Sequence, residues 1–299
     1  MKDISELLGC KYPIIQGAMG VICNPEFVAA VSEAGGYGLL ATAFDNDAAK
    51  FKDRVEGVKA LTDKPFGANL MAIHPMAFEF ADILVAAGVK AVTTSGGSPK
   101  ALVPYLKERG VKVLHVVSNV SNAVKAAASG VDAVIAEGSE SGGMQGFNGA
   151  STMVLTPMVA DAVDVPVVAA GGLGDRRGYQ AAFVLGAVGV QIGTAFIAAE
   201  ECIAHANYKN ALVSASESDT RLMNVGWAQF RVVATPVAEK MAAKGGLSKD
   251  EFSAQGAKIE AAWLDGDLEA GTIPAGQSTG MTKTIRPVRE IIAEMVRDA

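Results

Sequence analysis

The sequence predicts an α/β fold, a closed barrel of eight parallel strands with a helix after each. Three observations predict it. First, one unit repeats: Gly88-Val89-Lys90-Ala91-Val92, Gly110-Val111-Lys112-Val113-Leu114, Gly130-Val131-Asp132-Ala133-Val134 and Gly186-Ala187-Val188-Gly189-Val190 each end a helix on glycine and begin a buried strand at once. The first three copies lie 20 to 22 residues apart, the spacing of β/α units, and a longer unit occupies residues 137–165. Second, 50% of the residues are apolar and 19% are charged, which suits strands buried on both faces. Third, eight strand candidates are complete by residue 192. That number favours the (β/α)8 or TIM barrel over a doubly wound open sheet.

The elements follow in order. Strands are predicted at Pro13–Gly17, Gly38–Thr42, Phe66–Met71, Ala91–Thr94, Lys112–Val117, Ala133–Glu137, Pro166–Ala170 and Val188–Ile192. Helices fill the gaps at Pro25–Ala34, Asp47–Leu61, Pro75–Ala87, Pro99–Arg109, Asn119–Ser129, Ser151–Val163 and Asp175–Leu185. Pro75 and Pro99 read as first-turn prolines, and Asp175 as a cap before an apolar face. After Thr194 the rhythm stops. The chain therefore divides into a barrel (1–199), a helical appendage over or beside the barrel mouth (200–280) and a closing amphipathic helix packed on the barrel (281–299). Within the appendage, Ala234–Lys244 and Lys249–Asp265 read as helices with charged faces, and 271–280 as a Gly/Thr/Ser loop.

Composition excludes several function classes. The net charge of −6 and the lack of a broad basic patch argue against nucleic acid and anionic membranes as partners. Local groups such as Lys240–Lys249 still offer a small basic dock. Cys10, Cys23 and Cys202 have neither metal-ligand spacing nor pairing logic, so no metal is expected and a reducing cytoplasm is the expected location. The polar start Met1–Glu6 has no secretory apolar core. Gly178–Ala199 lacks charge over a membrane-spanning length, but Gly186, Gly189 and Gly193 break it into helix, strand and helix.

Chemistry is expected where glycines cluster at the carboxyl ends of strands. Ala170-Gly171-Gly172-Leu173-Gly174-Asp175 follows the seventh predicted strand and Gly193-Thr194 the eighth. Glycine lets the backbone approach a ligand, helix N-termini offer free N–H groups, and these two loops are the usual phosphate site of such barrels. The long polar loop Glu137–Gly146 after the sixth strand has no packing purpose and suits a flat ligand lying against it. Arg176-Arg177 reads either as a phosphate anchor or as solvated charge. Trp227 and Phe230 read as appendage packing, and most of the 11 methionines as gap-filling core. Met19, Met71 and Met144 cluster near the mouth, where thioethers could line an acyl or aromatic pocket.

Several of these segments match one family. Pro13-Ile14-Ile15-Gln16-Gly17-Ala18-Met19, Gly35-Gly36-Tyr37-Gly38, Gly67-Ala68-Asn69, the Glu137–Gly146 loop, Ala169-Ala170-Gly171-Gly172 and Gln191-Ile192-Gly193-Thr194 resemble the FMN barrels of the nitronate monooxygenase and 2-nitropropane dioxygenase superfamily. Within it the chain is most similar to the flavin-dependent enoyl-acyl-carrier-protein reductases. The similarity continues through His205–Lys209 and Ala275–Gly280. The resemblance implies FMN, with Ala18 and Met19 beside the flavin and Asn69 bonded to its ring edge or ribityl chain. It also implies Glu137, Gly142 and Gly143 near ribityl and ring, and Gly172, Gly193 and Thr194 on the phosphate with Gln191 leading in. Gln277 would approach from the C-terminal loop.

One position departs from the pattern. The family has Gly-Gly-His in the strand-6 loop, and this chain has Met144 there. In nitronate oxidation a histidine there resembles a general base, in the enoyl reductases it sits near the substrate where a proton must be given, and a thioether does neither job. His74, just past the third strand, and His115, within the fifth, are the candidates to assume part of that catalytic role. The competing reading makes His115 a satisfied core histidine and His74 an exposed loop residue.

The leading functional expectation is an FMN-dependent oxidoreductase that takes hydride from NADH or NADPH and reduces an activated C=C bond, such as that of a 2-enoyl thioester. Expected partners are a small-molecule or thioester substrate, with acyl carrier protein as one form of it, and a second copy of the chain as a homodimer. The alternatives are a nitronate monooxygenase or quinone reductase, and a flavin- or phosphate-binding barrel without turnover. Gly171-Gly172-Leu173-Gly174 falls short of a dinucleotide fingerprint, so NAD(P)H would visit the same mouth as the substrate.

Overall fold

The computed structural model describes residues 3–147 and 149–297; the outermost residues of the predicted barrel and closing-helix segments, and Asn148 within the long 137–165 unit, lie outside them. The chain opens with a short helix, α1 (Ile4–Leu8), capped by Asp3, to which the sequence reading assigned no element. The barrel units follow: β1 (Ile14–Gln16), α2 (Pro25–Glu33), β2 (Gly38–Ala41), α3 (Ala48–Leu61), β3 (Phe66–Met71), α4 (Ala77–Ala86), β4 (Ala91–Ser95), α5 (Leu102–Lys107), β5 (Lys112–Val117), α6 (Val120–Ala128) and β6 (Ala133–Glu137). A short extra strand, β7 (Gly143–Gln145), lies in the loop after β6. The barrel then resumes with α7 (Thr152–Ala162), β8 (Val167–Ala170), α8 (Arg176–Val184), β9 (Val190–Ile192) and α9 (Thr194–Ile197).

Eight of these strands form one parallel sheet in the order β1-β9-β8-β6-β5-β4-β3-β2. A bridge between Ile15 and Tyr37 joins the two ends and closes the ring. Alternation along each strand makes two cores. Ile15, Leu39, Leu114, Ile135 and Val168 fill the barrel, while Ile14, Leu40, Val113, Val134 and Val167 face the helices. Ile4 and Leu8 of α1 join the inner set, and the Ile4 amide donates to Val188 at 2.9 Å, so α1 plugs the end of the barrel opposite the chemistry. Burying each of these side chains contributes about 1.5–3 kcal/mol.

Helix starts differ from expectation at two prolines. α4 begins two residues after Pro75, and α5 three residues after Pro99, because both prolines lie in preceding turns. Asp47 and Asp175 do cap α3 and α8, each through backbone N–H groups of the first turn.

The appendage corrects the sequence reading more substantially. Residues 200–280 are not all helical. After α10 (Ala206–Ser214) come two strands, β10 (Thr220–Asn224) and β11 (Gln229–Val233), which form an antiparallel hairpin around Gly226. β11 then pairs with β7 of the barrel loop, with Phe230 opposite Met144 and Arg231 opposite Gly143. Phe230 is thus a strand residue whose burial partners sit across the sheet. Helices α11 (Pro236–Ala243), α12 (Lys249–Ser253) and α13 (Gly256–Glu260) follow, with a π turn at Ala261–Asp265. Met223, Val225, Phe230, Val232 and Ala238 pack with Met144, Met241 and Phe252 as the core of this lid. The closing helix, α14 (Val288–Met295), is shorter than the predicted 281–299. Pro287 caps it and keeps Arg286 extended, paired with Ala199. It packs on α2, α8 and α9. Among the described residues no helix is long and apolar enough to cross a membrane.

Candidate active site

A cavity of about 700 Å³ opens at the carboxyl ends of the barrel strands, beneath the lid. Ala18, Met19, Asn69, His115, Glu137, Gly142, Gly143, Met144, Gly172, Gln191, Gly193 and Thr194 all line it. Residues far apart in sequence therefore meet on one surface. Two predicted residues do not reach it. His74 is folded back by a turn: its amide donates to Met71 at 2.9 Å, its Nδ1 accepts from the Met76 amide at 3.2 Å, and its ring packs on Phe80. Gln277 is exposed, and it is its neighbour Ser278 that lines the cavity.

The floor is built from interlocked loops. The Gln277 amide donates to the Glu140 carbonyl at 2.9 Å, and the Gly276 amide donates to Thr194 Oγ1 at 2.9 Å. The chains cross so closely at Gly142 that a Cβ there would lie 2.5 Å from backbone atoms of Ala275 and Gly276. The Glu140 carboxylate accepts from the Thr152 amide at 2.9 and 3.0 Å, fixing the start of α7. Arg231, buried on β11, donates from Nε and Nη2 to the Ser139 carbonyl at 3.2 and 2.9 Å. Lid and barrel loop are thus clamped together. Sequence reasoning missed Glu140, Thr152 and Arg231 because each acts through contacts set by the lid pairing, which no local pattern announces.

The glycine loops fit an anion. Gly171 and Gly172 take φ of +93° and +69°, a left-handed conformation that favours glycine. Among the described residues, the Gly172 and Gly193 N–H groups donate to no protein acceptor, leaving them for a bound group. The Arg177 and Gly178 amides of α8 are already taken, since the Asp175 side chain accepts from both. Arg177 pairs with the same carboxylate at 2.6 Å and points to solvent, so it is not a phosphate anchor. The Asn69 amide is held in one orientation: Nδ2 donates to Thr93 Oγ1 at 2.9 Å and Oδ1 accepts from Ser95 Oγ at 3.0 Å. A phosphorylated flat heterocycle fits a cradle of free amides, a fixed amide side chain and an apolar vault.

Two titratable groups line the interior. His115 Nδ1 lies 2.8 Å from Thr94 Oγ1, and burial pushes its pKa down to about 4, with backbone groups of Thr94 and Gly97 opposing. It is a neutral, engaged histidine at physiological pH. Glu137 lies at the end of β6, half-buried, and lines the cavity. Burial pushes its pKa up to about 7, against the smaller opposing effect of the Ser141 hydroxyl. An unfolded glutamate titrates near 4.5. Between these values the folded chain holds the extra proton, so this contribution is complete below about pH 4.5 and is lost as pH rises through 7. Relative to Glu137→Gln, the wild-type protein should lose roughly 1–3 kcal/mol of unfolding free energy between pH 5 and pH 8. Urea denaturation at the two values checks this, and parallel pH profiles would refute it.

Residues 2–85 and 79–298 match the family described as nitronate monooxygenase. A relative from Rhodococcus jostii, (3aS,4S,5R,7aS)-5-hydroxy-7a-methyl-1-oxo-octahydro-1H-indene-4-carboxyl-CoA dehydrogenase, is 31% identical over 99% of this chain and 95% of its own. A probable nitronate monooxygenase of Staphylococcus saprophyticus is 34% identical over 74% of this chain and 75% of its own. Among solved structures, FabK from Thermotoga maritima superposes with a TM-score of 0.91 at 36% identity, over 100% of this chain and 96% of that one. Nitroalkane oxidase from Streptomyces ansochromogenes gives 0.88 at 26% identity, over 98% and 96%. With the barrel, the anion cradle and these likenesses in agreement, the chain belongs to the nitronate monooxygenase family and is a flavin-dependent oxidoreductase.

Proposed function

We propose that the flavin is FMN, that NADH or NADPH is the reductant, and that the substrate is an activated alkene, with 2-enoyl thioesters as the class. The observation that carries this reading is Met144. It stands on β7 opposite Phe230, lining the cavity where the family has a histidine. A thioether beside Trp227, Phe230 and Phe252 makes that wall apolar and leaves it no proton acceptor. Such a wall favours an acyl chain and disfavours deprotonation next to a nitro group. The likeness to FabK, an enoyl-acyl-carrier-protein reductase, and to a relative named for a CoA thioester supports the same class.

Bound flavin supplies hydride transfer from a dihydronicotinamide to the β-carbon of the alkene. The protein does the rest. Gly172 and Gly193 offer amides to the phosphate, and Asn69 presents a fixed amide to the ring system. Phe230 and Phe252 of the lid give the cavity an apolar roof. Glu137 is the acidic group of the lining that holds a proton near neutrality, and with solvent it is the proton source for the α-carbon.

The second reading, nitronate oxidation or quinone reduction with the same flavin, is favoured by the family match itself. Rapid mixing, anaerobic for thioester and quinone and aerobic for nitronate, separates them. The dithionite-reduced protein should be reoxidised by a 2-enoyl thioester at least tenfold faster than the resting protein turns over nitronate with oxygen. Reoxidation by quinone alone, with the thioester inert, would overturn the proposal.

A further inference from the structure

The cavity does not end at the strand tips. Its lining runs outward past Ser98 and Ser118 onto Asn122 and Lys125 of α6. Lys125 lies in the second turn of that helix, so this arm is a groove over the helix rather than part of the barrel floor. The segment after β7 forms one wall, since a Cβ on Gly146 would fall onto Ser118. The turn after β4 forms the other, packed so closely that a Cβ on Gly97 would lie 2.7 Å from Ile73.

Lys125 is the one Lys or Arg among the described residues that line the cavity, in a chain of net charge −6. Its ammonium group has no carboxylate or carbonyl partner among the described residues. Lys107 at the end of α5 and Lys112 at the start of β5, by contrast, both close on Asp132 at 3.3 Å. Ser118 and Asn122 add neutral donors to the same arm. An uncompensated cation beside neutral donors, at the outlet of an apolar cavity, is the chemistry that holds an anion. The flavin phosphate cradle at Gly172 and Gly193 is elsewhere: it follows β8 and β9, whereas α6 follows β5, with β6 between them in the ring.

We propose that Lys125, with Ser118 and Asn122, anchors the phosphate-bearing tail of the molecule whose reactive end enters the cavity. The inference rests on the reading of the cleft as a redox site that admits a dinucleotide and a thioester in turn. Both of those carry phosphate, as dinucleotide diphosphate or as phosphopantetheine, and the groove recognises the chemistry they share.

Calorimetric titration of the flavin-loaded protein distinguishes the sources. The probes are tetrahydro-NADH and tetrahydro-NADPH, which bind without reducing flavin, and coenzyme A. Each is titrated into wild type, Lys125→Glu and Lys125→Arg at low ionic strength. At least one probe should bind wild type and lose about tenfold in affinity in Lys125→Glu, while Lys125→Arg stays within about threefold, because a guanidinium also pairs with phosphate. The probe that weakens identifies which tail uses the groove. Raising salt should erode the difference, as a rim charge requires. Equal affinities in wild type and Lys125→Glu, or no binding of any probe to wild type, would overturn the proposal. The acceptor comparison described above judges the alkene-reductase reading without reference to Lys125, so each can fail alone.

Discussion

Gly142→Ala should abolish stoichiometric flavin retention. The backbone of Gly142 is not in the left-handed region, so alanine there is not strained by its own dihedrals. The whole effect comes from the chain crossing. An added Cβ would meet Ala275 C and Gly276 N at 2.5 Å and Ala275 Cα at 2.8 Å. These are backbone atoms, so no rotamer change relieves the contact, and the 139–143 segment must separate from 275–277. That separation breaks the Gln277 to Glu140 bond and pulls the Gly276 amide from Thr194. Both bonds shape the surface on which the phosphate and ring would lie. Overpacking of this kind costs about 1–3 kcal/mol, and spent on a binding surface it weakens the ligand by tenfold or more. The absorbance ratio of flavin to protein after gel filtration reads it directly. Gly88→Ala is the control: its φ of +82° makes alanine strained, but nothing lies within 4 Å of the added atom. It should cost about 1 kcal/mol of stability and leave flavin content unchanged. A Gly142→Ala protein that keeps a full complement of flavin would show that the crossing is not part of the site.

The same crossing shows where sequence reading reaches its limit. The barrel was legible because its signals are local: a glycine and a valine-rich strand directly after α4, α5, α6 and α8, and an aspartate capping α3 and α8. That Gly171, Gly172, Gly193 and Thr194 would line the cavity was legible for the same reason, since they sit directly after strands. The lid was not. β10 and β11 are short, and the strand that β11 joins, β7, lies more than 80 residues upstream in a loop that reads as polar connector. A three-residue strand such as β7 has no period to detect. The β-branched pair Val232-Val233 and the turn glycine Gly226 were the available signals, and helix-forming neighbours on both sides outweighed them. His74 misled because nearness to a strand end in sequence does not fix direction: the turn after Met71 carries it outward onto Phe80. Arg231 and Glu140 were invisible because their meaning depends on what β7 and α7 place opposite them.

Met144→His should convert the protein toward proton abstraction. Met144 lines the cavity on an extended strand, so the exchange introduces no backbone conflict, and an imidazole fits where a thioether of similar length stood. A positioned general base contributes about 10²–10⁴ in rate, and one not refined for its task contributes less. Oxygen-dependent oxidation of neutral nitroethane should therefore rise at least tenfold. The preformed nitroethane anion needs no base, so its turnover should change little, which separates acquired base catalysis from a general change in the cavity. The lid aromatics Phe230 and Phe252 surround the position with apolar surface. Desolvation lowers an imidazole pKa below its ordinary value near 6.5, so the gained activity should climb with pH through about 6 and then level off. Reduction of an enoyl thioester should move the other way in KM, because a polar ring replaces apolar wall against the acyl chain. Equal rates for neutral nitroethane in wild type and M144H would mean that this side chain does not face the reacting carbon. The specificity of the cavity would then have to be set by the remaining lid residues, Trp227 and Phe252 foremost.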